Sequence, residues 1–455
     1  MTGILIKKLF NDKEYFRKLI FIALPIVVQN LITSSLNIMD TIMVGRLGEI
    51  SIASVGVGNQ IFLFFNILSM GISSGCGVFI SQYWGKGDVK NIRKVFGIAI
   101  IGVILLSLPF MIVIQLAPEF VIGIFNKEIG VLEQGSKYIE IVSISYIFTA
   151  LTFAISTGSR CLERTRPPMV VSVLALLVNG SLNYILIFGK LGFEEMGVAG
   201  AAIGTLIARI FEFLLLFIYI FKTNKYLFGS FKDMIDSSWE FTKRVLILVR
   251  DVVLNELFWG LAAVIYSIIY GHIGSSALAA IQIYNMVQTF FLILIFGLAT
   301  ASSVMVGKEL GMCDFKKTKE YGYYSLILGT IIGVLMSILV FITAPYIVKV
   351  FNITETVRND AKLILYIAAL IFTLRSVNIV LIVGTLRGGG DAKFGMRTEA
   401  ITMWLIGLPL ALIGAFVLKL PVYGVVALTF AEEAIKCGIC VKRLMSEKWM
   451  NRVTE

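Results

Sequence analysis

The stretch LNIMDTIMVGRLG, residues 36–48, closes an apolar run that begins near Leu19 and ends on a Gly-x-x-Gly turn. A helix through about 30 Å of hydrocarbon takes roughly 20 such residues, so the run is long enough to cross a bilayer. Its turn, Gly45-Arg-Leu-Gly48, returns 226 residues later as Gly271-His-Ile-Gly274. At the same offset Gly71 meets Gly297, Gly85-x-x-Asp88 meets Gly311-x-x-Asp314, Phe125-Asn126 meets Phe351-Asn352, and Gly158 meets Gly384. After one inserted residue, Gly197-Val198 meets Gly424-Val425. Turn residues that hold one offset across half a chain mark an internal duplication.

The composition agrees with a membrane protein. Of 455 residues 58% are hydrophobic and 15% charged, with a mean hydropathy of +0.89, more apolar surface than a soluble exterior could carry. Apolar stretches recur near 19–43, 53–81, 95–116, 135–157, 168–189, 198–221, 246–270, 277–306, 321–343, 363–384, 400–418 and 422–441. The expected fold is an all-α membrane protein of twelve transmembrane helices, in two six-helix lobes related by a pseudo-twofold. Six spans per copy is an even number, so both copies insert in the same orientation. Parallel repeats of this kind are a transporter signature, with the substrate path between the halves. The expected division is an N-terminal lobe 1–221, a cytoplasmic linker 222–245 and a C-terminal lobe 246–455.

Most of the 40 lysines and arginines lie in loops on the side of the N-terminus, whereas the opposite loops hold Arg46, Lys127, Lys137, Lys190, Lys349, Arg358, Lys362 and Lys419. The positive-inside rule then makes both termini cytoplasmic. The net charge of +11 is dispersed over short loops rather than gathered on one soluble face, so no nucleic-acid partner is expected. The start lacks a continuous apolar segment ending in a small-residue site, and no cleaved signal is expected. Five scattered cysteines imply no disulfide framework. A single histidine and no Gly-x-Ser-x-Gly elbow argue against a membrane-embedded enzyme. A channel or receptor is disfavoured by the long parallel repeat.

Against this apolar background the polar residues inside the spans stand out. Asp40 lies five residues before Gly45, roughly 8 Å below the outer surface. An ionised carboxylate there costs about 2.5–3.5 kcal/mol, and intramembrane acids are functional by default. Asn179 and Asn183 share one face of the fifth span, and counting from its outer end brings them, with Thr205 on the sixth span, to a similar depth. A carboxylate, two amides and a hydroxyl can form an oxygen shell for Na⁺ or tune a carboxyl that takes H⁺. The alternative is a packing acid held protonated by its neighbours, and the two asparagines can equally be interhelical glue. Glu256 lies inside the seventh span; its repeat partner is Asn30, while that of Asp40 is Tyr266. Glu256 is expected to face a cation or substrate in the C-terminal lobe, with Arg375 one conceivable partner. Pro25 removes a backbone hydrogen bond from the first span and permits a kink, static or hinged. Arg209 with Glu212, and Glu432 and Glu433 with Lys436, read as helical ion pairs. Glu399 reads as an acid at a helix N-terminus.

The order of these residues resembles the multidrug and toxic compound extrusion (MATE) transporters, the prokaryotic NorM and DinF branches in particular. The carriers are Pro25 followed by Asp40-Thr-Ile-Met-Val-Gly45, Gly85-Lys-Gly-Asp88, Asn179-x-x-x-Asn183, Glu256, and Leu386-Arg-Gly-Gly-Gly-Asp391. The resemblance implies two lobes around a central cavity and export of amphiphilic, often cationic organic compounds in exchange for H⁺ or Na⁺, with no further cofactor. It implies a coupling site at Asp40, Asn179, Asn183 and Thr205, and in the DinF-like branch a bend at the proline corresponding to Pro25. Two departures stand out. Asn183 replaces a second aspartate of the archaeal DinF-like pattern, which lowers the charge available for Na⁺ and favours H⁺. Ser376 replaces an aspartate of the NorM-like C-lobe site. A monomer in the bacterial inner (plasma) membrane is expected; the rival is a flippase for a lipid-linked or other amphiphilic metabolite of the same superfamily.

Overall fold

In a computed structural model that describes residues 2–229 and 231–455, the chain forms twelve long helices among the described residues. They are labelled α1 Lys13–Gly45, α2 Glu49–Lys86, α3 Val89–Leu116, α4 Ile129–Cys161, α5 Arg166–Ile187 and α6 Gly197–Thr223, then α7 Trp239–Ile273, α8 Ser275–Gly311, α9 Phe315–Ile347, α10 Glu355–Leu386, α11 Ala392–Val417 and α12 Val422–Met445. Eleven are long and apolar enough to cross a membrane. The other is α12, whose Glu432, Glu433 and Lys436 interrupt its apolar run. Large apolar side chains such as Leu105, Ile342 and Leu405 are exposed on the helices, as lipid-facing positions must be in a chain whose solvent is a bilayer. Ser230, inside the expected linker, lies outside the described residues. A short helix Phe231–Ile235 follows it, and the Arg93 guanidinium on α3 holds Asp233 at 2.8 Å.

The chain divides into two compact units. One comprises Pro25–Ile80 and Asp88–Val249; the other comprises the chain up to Leu24, Ser81–Gly87 and Arg250–Glu455. The first crossover falls between Leu24 and Pro25, within the unbroken helix α1.

In the first unit the core is built mainly from α2, α3, α4 and α6, joined by Val44 of α1 and Ile187 of α5. The Phe65 and Tyr146 rings stack at 4.6 Å among fully buried Val103, Val131, Ile139 and Ala202. In the second unit the repeat is written into the backbone. Gly85 at the end of α2 and Gly311 at the end of α8 are repeat partners, and each presses on the other's helix. A Cβ on Gly85 would strike the Lys308 carbonyl, and one on Gly311 would strike the Gln82 carbonyl, and Gln82 and Lys308 are themselves 226 apart. Glycine is needed at such a crossing because only bare backbone fits. The aspartates of the same motif are helix N-caps. Asp88 accepts from the Asn91 N–H at 3.1 Å and Asp314 from the Lys317 N–H at 3.0 Å, each satisfying one of the donors a helix start leaves open.

The second unit also explains the Gly388-Gly389-Gly390 run. The C-terminal segment folds back onto it: Asn451 N–H donates to the Gly389 carbonyl at 2.7 Å, and Val453 N–H donates to Gln82 Oε1 at 2.9 Å. Trp449 is fully buried beside Gly389. The duplication is imperfect where it matters for chemistry. Helices α10 and α11 carry π-helical turns at Val380–Leu386, Met403–Gly407 and Ile413–Val417, whereas α4 and α5 are regular α-helices. Such turns frequently mark functional sites.

Candidate functional site

The first unit brings together all four polar residues expected at the outer end of the N-terminal half. Asn183 and Asn179 sit one turn apart on α5, so their side chains rise from the same face. Asn183 Nδ2 donates to Asp40 Oδ1 at 2.6 Å and to Asn179 Oδ1 at 3.2 Å; Asn179 Nδ2 donates to Thr205 Oγ1 at 3.4 Å. Both asparagines are buried, whereas Asp40 is partly exposed. One file of hydrogen bonds therefore joins α1, α5 and α6. The close packing that permits it depends on Gly204, since a Cβ there would occupy the position of Asn183 Oδ1.

A second polar file runs through the same unit. Arg209 Nη1 pairs with Glu212 Oε2 at 2.8 Å, as the i, i+3 spacing requires. The pair does not stop there: Ser172 Oγ donates to Glu212 Oε1 at 2.9 Å, Gln29 Nε2 donates to Ser172 Oγ at 2.9 Å, and Arg160 Nη2 donates to Gln29 Oε1 at 2.5 Å. Gln29, Ser172 and Arg160 are ordinary polar residues in sequence; only the relay they form from α4 and α1 through Ser172 of α5 to the Glu212 carboxylate reveals the network.

The second unit contains a cavity of ≈ 190 Å³ whose wall carries Glu256, Glu399, Glu432, Glu433, Arg375 and Lys436. The expected partnership of Glu256 with Arg375 is not formed. Glu256 Oε1 pairs instead with Arg387 at 2.8 Å, while Arg375 pairs with Glu433 at 3.0 Å and donates to Tyr284 and Gln288 at 2.8 and 2.7 Å. The sequence distance from Glu256 to either arginine is silent on this; a π-helical stretch of α10 lies between the two arginines, so their relative facing departs from α-helical counting. Ser376 is turned away from the cavity, donating to the Gly329 carbonyl of α9 at 2.6 Å. Glu399 is not at a helix N-terminus: α11 begins at Ala392, two turns earlier, and Glu399 lies 3.8 Å from the Lys436 ammonium. Lys436 pairs with Glu432 at 2.9 Å, the i, i+4 contact read from the sequence, and Tyr266 donates to the other oxygen of Glu432 at 2.8 Å.

The two polar centres occupy corresponding places in the duplication. Tyr266 stands at the repeat position of Asp40, Glu432 at that of Thr205 and Lys436 at that of Arg209, in the offsets of 226 and 227. The acid has moved from the first helix of one half to the last helix of the other, while the place of the basic group is kept. The Thr205 and Glu432 correspondence was within reach of the sequence, since the offset after the insertion already aligns them.

Twelve long helices among the described residues, a duplicated topology and buried ionisable groups joined in polar networks define a multi-pass membrane transport protein. The MatE family model matches the chain twice, over residues 25–185 and 252–413. The chain belongs to the MatE family, whose members are transporters and not enzymes. It is 26% identical over 430 residues to the uncharacterized transporter YisQ of Bacillus subtilis, covering 94% of both chains. It is 25% identical over 445 residues to the probable multidrug resistance protein NorM of Thermotoga maritima, covering 96% of this chain and 94% of that one. Its fold is that of a crystallised MATE protein in the bent conformation, with a TM-score of 0.87 at 18% identity over 98% of each chain. It is equally that of a MOP superfamily transporter from Pyrococcus furiosus whose reversed binding-pocket polarity suggests a different function, with a TM-score of 0.85 at 19% identity over 95% of this chain and 96% of that one.

Proposed function

We propose that this protein is a secondary active transporter that exports amphiphilic, often cationic compounds by alternating access in exchange for inward H⁺, with Asp40 as the coupling carboxyl. The observation that carries the proposal is the hydrogen-bonded file Asp40–Asn183–Asn179–Thr205, in which an intramembrane carboxylate accepts from the Asn183 amide and the file spans three helices. Relatives named as probable multidrug resistance proteins support drugs as the exported class.

The single carboxylate of this file supports a proton over Na⁺: a hard cation wants several oxygens with enough negative charge among them, and Asn183, whose Nδ2 donates to Asp40 and Asn179, adds no charge. Protonating Asp40 removes the charge that strengthens the 2.6 Å bond and loosens α1 from α5. Pro25 is the hinge for that movement: it lacks the backbone N–H that would lock the helix, and it lies where the chain passes from one unit to the other. An inward-negative potential adds roughly 2.3 kcal/mol per charge per 100 mV to the exchange. Glu256 lines the cavity of the second unit as a residue facing cation or substrate, reached when its pairing with Arg387 opens. The protein works as a monomer in the plasma membrane, both termini cytoplasmic.

A flippase for an amphiphilic metabolite is the reading that Arg375, Arg387 and Lys436 around one cavity would favour. Each is matched by a carboxylate, however, so no basic surplus remains for a phosphate headgroup. Efflux from proteoliposomes under a pH gradient or a Na⁺ gradient, imposed separately, tests the proposal. Efflux should follow the pH gradient and vanish in Asp40→Asn. Efflux driven by Na⁺ alone, or retained in Asp40→Asn, would refute it.

A further inference from the structure

We infer that the Arg209–Glu212 pair positions the coupling carboxyl: Arg209 supplies the fixed positive charge that keeps Asp40 ionised until a proton arrives, and Glu212 holds that charge in place. The inference rests on the reading of Asp40 as a proton-coupling group, and it gives the pair a part in coupling beyond that of a helical ion pair.

The two polar files of the first unit run along the same three helix faces. On α5, Ser172, Asn179 and Asn183 are spaced i, i+7 and i+11; on α6, Thr205, Arg209 and Glu212 are spaced i, i+4 and i+7; on α1, Gln29 and Asp40 are spaced i and i+11. Such spacings return to one side of a helix. Arg209 is therefore one turn from Thr205, the last member of the file that begins at Asp40. Glu212 opens the file that passes through Ser172 and Gln29 to Arg160. Arg209 stands where the two files meet.

The side chains of Arg209 and Glu212 are 16% and 7% exposed, so salt screens their charges weakly. The Arg209 charge acts on Asp40, and Tyr138 on α4 lies in the field of both. Burial by itself favours a protonated acid, and an acid that never ionises cannot couple. A guanidinium within reach opposes burial and favours the ionised form. With Asp40 ionised, the two files hold two carboxylates, Asp40 and Glu212, and two guanidiniums, Arg209 and Arg160, among the described residues, so their charges balance. A proton on Asp40 leaves one positive charge in excess. That excess drives the proton off again once the site opens to the less acidic side.

The duplication supports the placement independently. Tyr266, Glu432 and Lys436 stand at the repeat positions of Asp40, Thr205 and Arg209. In the second unit these three side chains touch: Tyr266 donates to Glu432 at 2.8 Å, and Lys436 pairs with Glu432 at 2.9 Å. The duplicated scaffold thus brings the position of Arg209 to that of Asp40 across one intervening side chain, and both halves keep a cation there. The other titratable and charged groups about Asp40 and Arg209 are Tyr138 and Arg160 on α4, Tyr184 on α5 and Glu212 on α6.

The test is the pH profile of drug efflux from proteoliposomes at a constant pH difference, with inner and outer pH moved together. Removing the cation in Arg209→Gln lets Asp40 keep its proton at higher pH, so the profile should move toward alkaline by about one pH unit, the low end of what an adjacent guanidinium does to a carboxyl. Glu212→Gln takes the counter-charge from Arg209 and should move the profile toward acid. Arg209→Lys, which keeps the charge, should stay close to the wild type. A purely structural pair lowers the melting temperature in both neutral variants but does not move the profile in opposite directions. The double variant Arg209→Gln with Glu212→Gln orphans neither charge of the pair; it should follow Arg209→Gln, and it decides the matter if a single variant fails to fold. Profiles that stay at the wild-type position, or that move the same way in both single variants, overturn the inference and leave proton coupling standing. Wild-type efflux indifferent to the pH gradient overturns proton coupling and the inference with it.

Discussion

Adding one methyl group at Gly204 should uncouple Asp40 without touching it. A Cβ at this position falls on Asn183 Oδ1 and lies 3.3 Å from the Asn183 backbone nitrogen, so the amide must rotate away and lose the 2.6 Å bond it donates to Asp40. Forcing a methyl into a packed contact costs about 1–3 kcal/mol, and losing a hydrogen bond to a charged group costs about 1.5–3 kcal/mol. Replacing a mid-helix glycine by alanine returns about 1 kcal/mol of helix propensity, which leaves a net loss of roughly 1.5–5 kcal/mol. The control is Gly200→Ala one turn earlier on α6, whose Cβ meets the Leu186 carbonyl at 2.6 Å and crowds the same pair of helices away from the carboxylate. Both variants should melt lower in detergent, but only Gly204→Ala should change the pH dependence of efflux in proteoliposomes. A Gly204→Ala protein with wild-type stability and wild-type pH dependence would refute the claim that the Asn183 amide holds Asp40.

Two further outcomes follow from the second unit. Arg387→Ala should lower stability by about 3 kcal/mol, the lower end of the range for an orphaned buried charge, because the Glu256 side chain keeps 19% exposure. Adding Glu256→Gln should recover part of that loss, measured as a coupling energy over the four proteins of the cycle. Trp449→Ala, which empties a fully buried aromatic site beside Gly389, should cost about 3–5 kcal/mol and expose the tail beyond Met445 to limited proteolysis; a protease-resistant tail in the variant would show that Trp449 does not anchor it.

How far the site could be read in advance differed between the two halves for a physical reason. Asp40, Asn179, Asn183 and Thr205 lie on regular α-helices, where depth follows from counting residues at 1.5 Å each from a turn, and their convergence was legible. In the second half, α10 and α11 carry π-helical turns. Each turn shifts the facing of every residue beyond it, so counting could not tell that Glu256 meets Arg387 rather than Arg375. Gln29, Ser172 and Arg160 were not legible in advance because nothing about a glutamine, a serine or an arginine near a span's end is unusual until three helices bring them into one relay that ends at Glu212.

The amino-acid sequence by itself determined the number of long helices, the duplication and the presence of intramembrane acids. These are one-dimensional quantities, set by how many apolar residues stand between turns and by which turn residues recur. Tertiary structure alone decided which charges are matched. Four carboxylates and three cations are scattered over residues 256–436, and whether each is neutralised depends on separations of a few ångströms that helix packing sets. The same apolar medium that makes a span legible from composition makes every unpaired charge inside it expensive. For that reason the pairing, which no spacing rule reports, decides which buried charges the fold can hold.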